Sequence, residues 1–550
     1  MQSVRANGLP AVVSAAGPIV TATVLQVVRC RLGVAKLFRA GNNNSPAIWW
    51  VYGGSHFFKR IDHKGPAADY WAASMDAIFA TLRGSQARIP LQATRIERDA
   101  LGEVAVPAQA LYGAQTQRAI DNFPLDGEHP IGFYTTLITA LAGIKRAAAG
   151  VNVSIGALSS EIGGALDRAA RSVVEDGRWV QFPVHRLHGG GGTSANMNAN
   201  EVLANLAEGY IGGLPGRYER VHPNDHVNLH QSTNDVYPTA CHMAVILQWP
   251  GLRGRLEELI AVLLATGARL GDGQRLARTC LQDAVATGWA DFFGGCAAGL
   301  GRQHERLERA VDALHLVNLG GTIVGRPSDA PLAYRERIVG ELAAVSGDPA
   351  YEQAANLFDA AQNADDLAAV SAALDLLARG LVKIGKDLRL LSSGPDAGFG
   401  ELRLPAVQPG SSVMPGKVNP VIPEFLIQIC LQVSANHAAV AAGLDHAELD
   451  LNVWESLMVF NILDSMRMLK TAVGATTACV SGIDADTAGN ARHATATIPA
   501  LSDMMRAHGY ARVAAAWREG GGDLDAVRAS LERVSENQNG VSQNRNGAGE

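Results

Sequence analysis

The sequence predicts a mainly α-helical protein built around a bundle of long helices. Three observations carry this. Leu367, Val370, Leu374, Leu377, Leu381, Ile384, Leu388 and Leu391 are spaced 3, 4, 3, 4, 3, 4, 3, an unbroken a/d seam. The 59 glycines, many alanines and only 6% aromatic residues suit closely packed helices joined by Gly-rich loops. Strand-like alternating runs are few.

Residues 1–90 do not match the rest. No acidic residue precedes Asp62, while seven basic ones do, and residues 11–28 are apolar enough to resemble a signal h-region. A targeting segment, a disordered extension and sequence upstream of a misassigned start all fit; we favour the last, with Met75 as the start. Residues 91–231 form an N-terminal part. The bundle is placed over 232–485. A stripe of Leu252, Leu256, Leu259 and Leu263 marks one of its helices, and another is expected to start near Pro420 and run through Phe425, Ile429 and Val433. The seam helix should end at Ser392-Ser393-Gly394-Pro395, which cannot easily extend it. A narrow a/d seam buries itself only against another helix, so the bundle is either shared between subunits or closed within one chain. The polar, Asn/Gln/Gly-rich residues 536–550 read as a disordered tail.

Charge and cysteine usage narrow the function. Forty-seven Lys and Arg against 53 Asp and Glu leave a net charge of −6, unlike a nucleic-acid-binding protein. The apolar run 11–28 is interrupted by Pro18 and is marginal for a membrane span. The six cysteines lack CxxC pairs, which argues against a disulfide framework or structural zinc and for a reducing compartment, the cytoplasm.

Four segments between helices carry candidate chemistry. Gly189–Asn198 offers glycine backbone N–H groups with Thr193 and suits an anion, although the lysine of a P-loop is missing. His222–Asp235 places three histidines at i, i+4 spacing. Pro223 and the Asn/Asp density argue against a metal site and for a capped helix start at Ser232, Thr233, Asn234 or Asp235. Ala277–Ala284 contains Thr279 and Cys280. No partner histidine motif accompanies Cys280, so a buried structural thiol is expected. Gly410–Pro420 offers Ser411, Ser412, Lys417 and Asn419 within nine residues, and a fixed cation beside a serine eases its deprotonation.

GSSVMPGKVNP (410–420) resembles the signature loop of the aspartase/fumarase superfamily. Residues 95–124, 192–205, 222–235 and 507–521 resemble further segments of that family in the same order. Residues 232–239, 318–325, 390–412 and 449–463 are more similar to the aspartate ammonia-lyase branch than to the fumarase branch, the alternative.

The resemblance implies a three-part chain that ends in a small helical part over 486–535 and whose helical bundle is shared in a homotetramer, with active sites composed from three chains. It implies elimination of ammonia from L-aspartate or a close analogue to give fumarate, through C3 proton abstraction and an aci-carboxylate intermediate, without an organic cofactor. Ser411 would be the general base. Lys417 and Asn419 would bind the α-carboxylate. Thr193, Ser232, Thr233 and Ser412 would hold the β-carboxylate, with Asn234 and Thr193 near the amine. Three departures stand out. Cys280, after Thr279, replaces a histidine of the substrate site, and a thiol cannot carry positive charge at neutral pH. His230 stands where serine is usual, and Ala286 where proline is. Together they leave open an altered substrate, a weakened enzyme or a structural homologue without turnover.

Overall fold

The computed structural model describes residues 93–271 and 273–534, together with the backbone of two earlier strands. The chain divides into two compact units, Met1–Gln92 and Ala93–Glu550. In the first, β1 (Thr23–Cys30) pairs antiparallel with β2 (Gly33–Arg39). The remainder of the expected extension, the proposed start at Met75 and the tail 536–550 lie outside the described residues.

The second unit opens with an antiparallel hairpin, β3 (Thr94–Asp99) and β4 (Gly102–Pro107). Helices α1 (Ala114–Asn122), α2 (Thr135–Ser154), α3 (Ser160–Glu175) and α4 (Thr193–Tyr210) follow. The first helix has no side-chain cap of its own. Glu201 of α4 replaces it, accepting from the backbone N–H groups of Gly113 (2.8 Å), Gln115 (2.8 Å) and Thr116 (3.1 Å). One buried carboxylate thus satisfies three donors that a helix start leaves unpaired, and ties α1 to α4.

The bundle comprises α5 (Thr233–Leu270), α6 (Trp289–Asp312), α8 (Asp365–Leu391), α9 (Val421–Asp445) and α10 (Glu455–Ser481). Between α6 and α8 lies the short α7 (Ile338–Ser346). The 38-residue α5 is central and packs on α2, α6 and α10, while α8 packs on α6 and α9. Every residue of the expected seam on α8 is buried, as are Leu252, Leu256, Leu259 and Leu263 on α5. The helix expected from Pro420 begins at Val421, and α8 ends with Ser392 as its C-cap.

α9 buries only a narrow stripe, including Leu426, Cys430, Val433 and Val440, and leaves Leu431 exposed. It is also long and apolar enough by composition to cross a membrane, with a mean hydropathy of 1.4. Its outer face is uncovered within one chain. At the far end, α11 (Thr487–Ala494), α12 (Thr497–His508), α13 (Tyr510–Glu519) and a helix over 524–534 follow. Leu501, Val513, Ala516, Val527 and Leu531 form a hydrophobic cluster of their own there.

The bundle buries charge as well as apolar surface. His242 on α5 faces two acceptors, Leu314 O at 3.1 Å from Nδ1 and Asp366 Oδ2 at 3.2 Å from Nε2. Only the imidazolium can donate to both, so the ring is held charged despite burial, and its pKa is raised by Asp366. Glu455, on the facing helix, is fully enclosed, and burial pushes its carboxyl up to about 8. A histidine raised by folding stabilises fully below its unfolded value near 6.5 and loses that contribution as pH rises through the folded value. A carboxyl raised from 4.5 to about 8 also binds its proton more tightly when folded, so stability again falls as pH climbs through that window. Glu455→Gln should therefore lose less thermal stability than wild type between about pH 5 and pH 8, read by melting temperature across that range. Equal losses in both proteins would contradict the assignment.

Candidate active site

Three of the four polar segments lie where helices begin. Ser232 is the N-cap of α5, and its Oγ accepts from Asn234 N at 3.2 Å. Asp235 completes a capping box, its Oδ1 accepting from Ser232 N at 2.9 Å. Its other oxygen accepts from Gly320 N at 2.9 Å, which ties the helix start to the 318–325 turn. Asn234 donates through Nδ2 to Ile323 O at 2.9 Å, and Asn196 donates to Thr233 Oγ1 at 3.1 Å. Ser232, Thr233 and Asn234 are half-buried.

The Gly-rich loop leads into α4 with three successive left-handed residues, Gly190 (φ 86°), Gly191 (φ 56°) and Gly192 (φ 86°). A side chain on Gly192 would strike the Tyr237 ring of α5, and one on Gly191 would lie 3.5 Å from Val453. The loop is therefore pressed against the start of α5 and the segment before α10. Thr193 is exposed at the first turn of α4, its hydroxyl donating to Gly190 O at 2.8 Å. The structure thus brings together Thr193, Ser232, Thr233 and Asn234, all around helix N-termini, where unpaired N–H groups favour an anion.

A second polar layer lies beneath. Lys145 of α2 is buried, with Nζ 2.8 Å from Asn228 Oδ1. That oxygen also accepts from Asn196 and Asn200, both at 3.2 Å. Asn228 Nδ2 in turn donates to Gln231 O at 3.1 Å, closing the turn that precedes Ser232. The histidines of this segment serve the backbone. His222 Nδ1 accepts from Asn224 N and Asp225 N, and His226 Nδ1 accepts from His222 N. Pro223–Val227 forms a π-helical turn. His230 holds a left-handed φ of 62° and stacks at a tilt on Tyr334, with ring centroids 5.5 Å apart. Asn152 donates to Leu229 O, so its carbonyl oxygen faces His230, whose Nδ1–H donates to it at 2.7 Å. Among the described residues no group of three or more His, Cys, Asp or Glu could hold a metal.

Cys280 differs from expectation. It is exposed, not a buried thiol. Residues 274–288 form a hairpin of β5 (Gln274–Thr279) and β6 (Gln282–Gly288), with Thr279 paired to Gln282. Cys280 (φ 53°) and Leu281 (φ 60°) are its two-residue turn, both left-handed, the signature of a type I′ hairpin. Such turns prefer Asn-Gly, so the alternation around Cys280 gave little warning of a hairpin. Ala286 pairs with Leu276 in the ladder. The hairpin packs against α11 and α12 and is pinned through Arg278, which contacts Glu401 at 2.6 Å. Thr279 and Cys280 project at its exposed tip.

The Gly410–Pro420 loop closes on itself. Gly410 N donates to Lys417 O, and Asn419 Nδ2 to Gly410 O, both at 2.8 Å. Ser411 Oγ accepts from Val413 N at 3.1 Å and Met414 N at 2.9 Å. Two N–H groups aimed at one hydroxyl oxygen stabilise an alkoxide there, which is what a serine base requires. Ser412 and Lys417 are exposed, while Ser411 and Asn419 are half-buried. The loop borders a concavity of about 460 Å³ that Ser411, Met414 and Lys417 help to line. Among the described residues, no hydrogen bond links this loop to the 193–234 group or to the 279–280 tip. Within one chain the 411–419 loop bonds only to itself, and the 193–234 group and the 279–280 tip are held by other elements.

A family profile described as Lyase matches residues 102–435. The aspartate ammonia-lyase of Pseudomonas aeruginosa is 40% identical over 445 residues, 80% of this chain and 94% of that protein. This chain belongs to the aspartase/fumarase lyase superfamily. The class II fumarate hydratase of Nitrosomonas europaea is 40% identical over 425 residues, 76% of this chain and 90% of that protein. Among solved structures, the fumarate lyase:delta crystallin from Brucella melitensis is similar with a TM-score of 0.76 and 39% identity, over 81% of this chain and 99% of that chain. Membership of the superfamily accords with the motif order read from the sequence.

Lys145 was not singled out in the sequence, whereas its partners Asn196 and Asn228 lie within the 189–198 and 222–235 segments. The available signal was a lysine on an otherwise apolar helix stripe, between Leu141 and Asn152. Gly190 and Gly192 share φ 86° but not space: an added Cβ finds its nearest neighbour at 4.0 Å for Gly190, whereas Gly192 abuts the Tyr237 ring. Gly190→Ala should cost about 1–2 kcal/mol of strain alone, and Gly192→Ala clearly more, in thermal unfolding. Equal losses would show that the loop does not bear on α5 as described.

Proposed function

We propose that this protein is a carbon–nitrogen lyase that eliminates ammonia from L-aspartate, or a close analogue, to give fumarate. The observation that carries this reading is Ser411, its Oγ facing two backbone N–H groups in a loop that also supplies Lys417 and Asn419. As an alkoxide Ser411 takes the C3 proton. The C3 electron pair passes into the neighbouring carboxylate, giving a dianionic aci form. Collapse of that species forms the C2–C3 double bond and breaks the C–N bond, and nitrogen departs with the bonding pair as ammonia. Stabilising the aci form is the largest demand, and each well-placed donor is worth about 3 kcal/mol. Thr193, Ser232, Thr233 and Ser412 hold that carboxylate, Lys417 and Asn419 hold the other, and Asn234 lies toward the amine.

The three separated parts and the uncovered face of α9 support a homotetramer in which different subunits contribute the 193–234 group, the 279–280 tip and the 411–419 loop. Cys241, Cys280, Cys296, Cys430 and Cys479 are free thiols, which suits a reducing cytoplasm. A second reading, a class II fumarase acting on malate, is favoured by the equal similarity of the Nitrosomonas europaea relative. A third, a homologue with weakened or no turnover, is favoured by Cys280 at the exposed tip, where no positive charge is available.

Absorbance of fumarate formed from L-aspartate, malate and N-substituted aspartates separates the three. The expected result is fumarate from aspartate, with Ser411→Ala lowering kcat by roughly 10²–10⁴. Turnover of malate alone establishes the fumarase reading. Fumarate from no substrate, unchanged by Cys280→His, establishes the third.

A further inference from the structure

Lys145 carries a buried charge that no direct ion pair satisfies. Its ammonium is buried and makes no ion pair among the described residues, and its one hydrogen bond reaches Asn228 Oδ1. That oxygen has two lone pairs and already has two other donors, Asn196 and Asn200. Removing the ammonium would leave no acceptor unsatisfied. The buried Asp235 carboxyl attracts the ammonium without touching it, and that carboxyl already accepts from Ser232 N and Gly320 N. The charge is, however, connected to the site. Asn228 joins Lys145 to Asn196, which donates to Thr233 Oγ1, and Asn228 also closes the turn that delivers Ser232.

We propose that Lys145 is a positioning residue whose buried charge, acting through Asn228 and Asn196, draws one carboxylate of a dicarboxylate substrate onto the Ser232–Thr233 helix start. This rests on the reading of Ser232 and Thr233 as carboxylate ligands. A fixed positive charge behind neutral donors stabilises an anion without competing for its hydrogen bonds, and it acts more strongly as charge accumulates in the aci form. Burial holds the Lys145 pKa down to about 7, so the charge is present below neutrality and fades above it. The titratable group of opposite sign that faces it is Asp235 on α5, which favours the ammonium and is itself raised by burial. Beyond Asp235 lie Tyr334, fully buried and facing that carboxyl, and His230, whose ring packs on Tyr334. Affinity for a dicarboxylate is therefore expected to fall as pH rises through neutrality.

The test measures calorimetric affinity for succinate, which cannot react, in the full-length oligomer at about pH 6 and about pH 8. Wild type should bind about tenfold more tightly at the lower pH. Lys145→Met should bind weakly at both, with no pH dependence, while still unfolding cooperatively. Lys145→Gln keeps a donor to Asn228 without charge and should behave like Lys145→Met. Several results overturn the proposal. These are wild-type affinity in Lys145→Met, recovery in Lys145→Gln, or loss of folding in Lys145→Met, which would make the lysine structural. If wild type binds no succinate while Lys145→Met remains stable, the carboxylate-site reading itself fails, and the proposal falls with it.

Discussion

The Asp235 carboxylate is the contact on which the candidate site turns. One oxygen accepts from Ser232 N and the other from Gly320 N, so the first turn of α5 is capped and fastened to the 318–325 turn at once. α5 is also the helix on which α2, α6 and α10 pack. Whatever fixes its start fixes the bundle and the 232–234 donors together. The same economy recurs at Gly192, where Tyr237, one turn into α5, leaves no room for a side chain. A bundle of long helices concentrates unpaired N–H groups at its helix starts, and those starts are where the polar segments gather.

Much of the fold was legible because helical periodicity is local. The 3, 4 alternation of α8 maps onto residues that are all buried, and Ser392 ends that helix as its breaker residues implied. Ser232 emerged as the cap from four adjacent candidates because Asp235, three residues on, completes the box. The β5–β6 hairpin was not legible. Its turn is Cys280-Leu281, two residues with side chains in left-handed conformations, where a sequence reader looks for Asn-Gly. The exposure of Cys280 follows from that turn. Lys145 was hidden for another reason: its partners, Asn228 and Asn196, are far from it in sequence, and no local pattern reports a tertiary hydrogen bond.

The composite site of the proposed function has a physical rationale in the same architecture. α9 buries a narrow stripe and offers its remaining apolar face outward, as a helix does when another copy is to cover it. The 411–419 loop leads directly into α9, so an association that covers this helix also carries Ser411 toward a neighbour. Under the proposed function, assembly is therefore a condition of catalysis, and Ser411 and Thr233 serve one substrate from different chains.

Hybrid tetramers test this most directly. Ser411→Ala and Thr233→Val subunits are each inactive as homo-oligomers under the account. When the two are unfolded, mixed and reassembled, some shared sites receive both intact residues. The account predicts that the mixture forms fumarate when neither parent does. If the site lay within one chain, every site would carry a lesion and the mixture would stay as inactive as its parents, which would contradict the account.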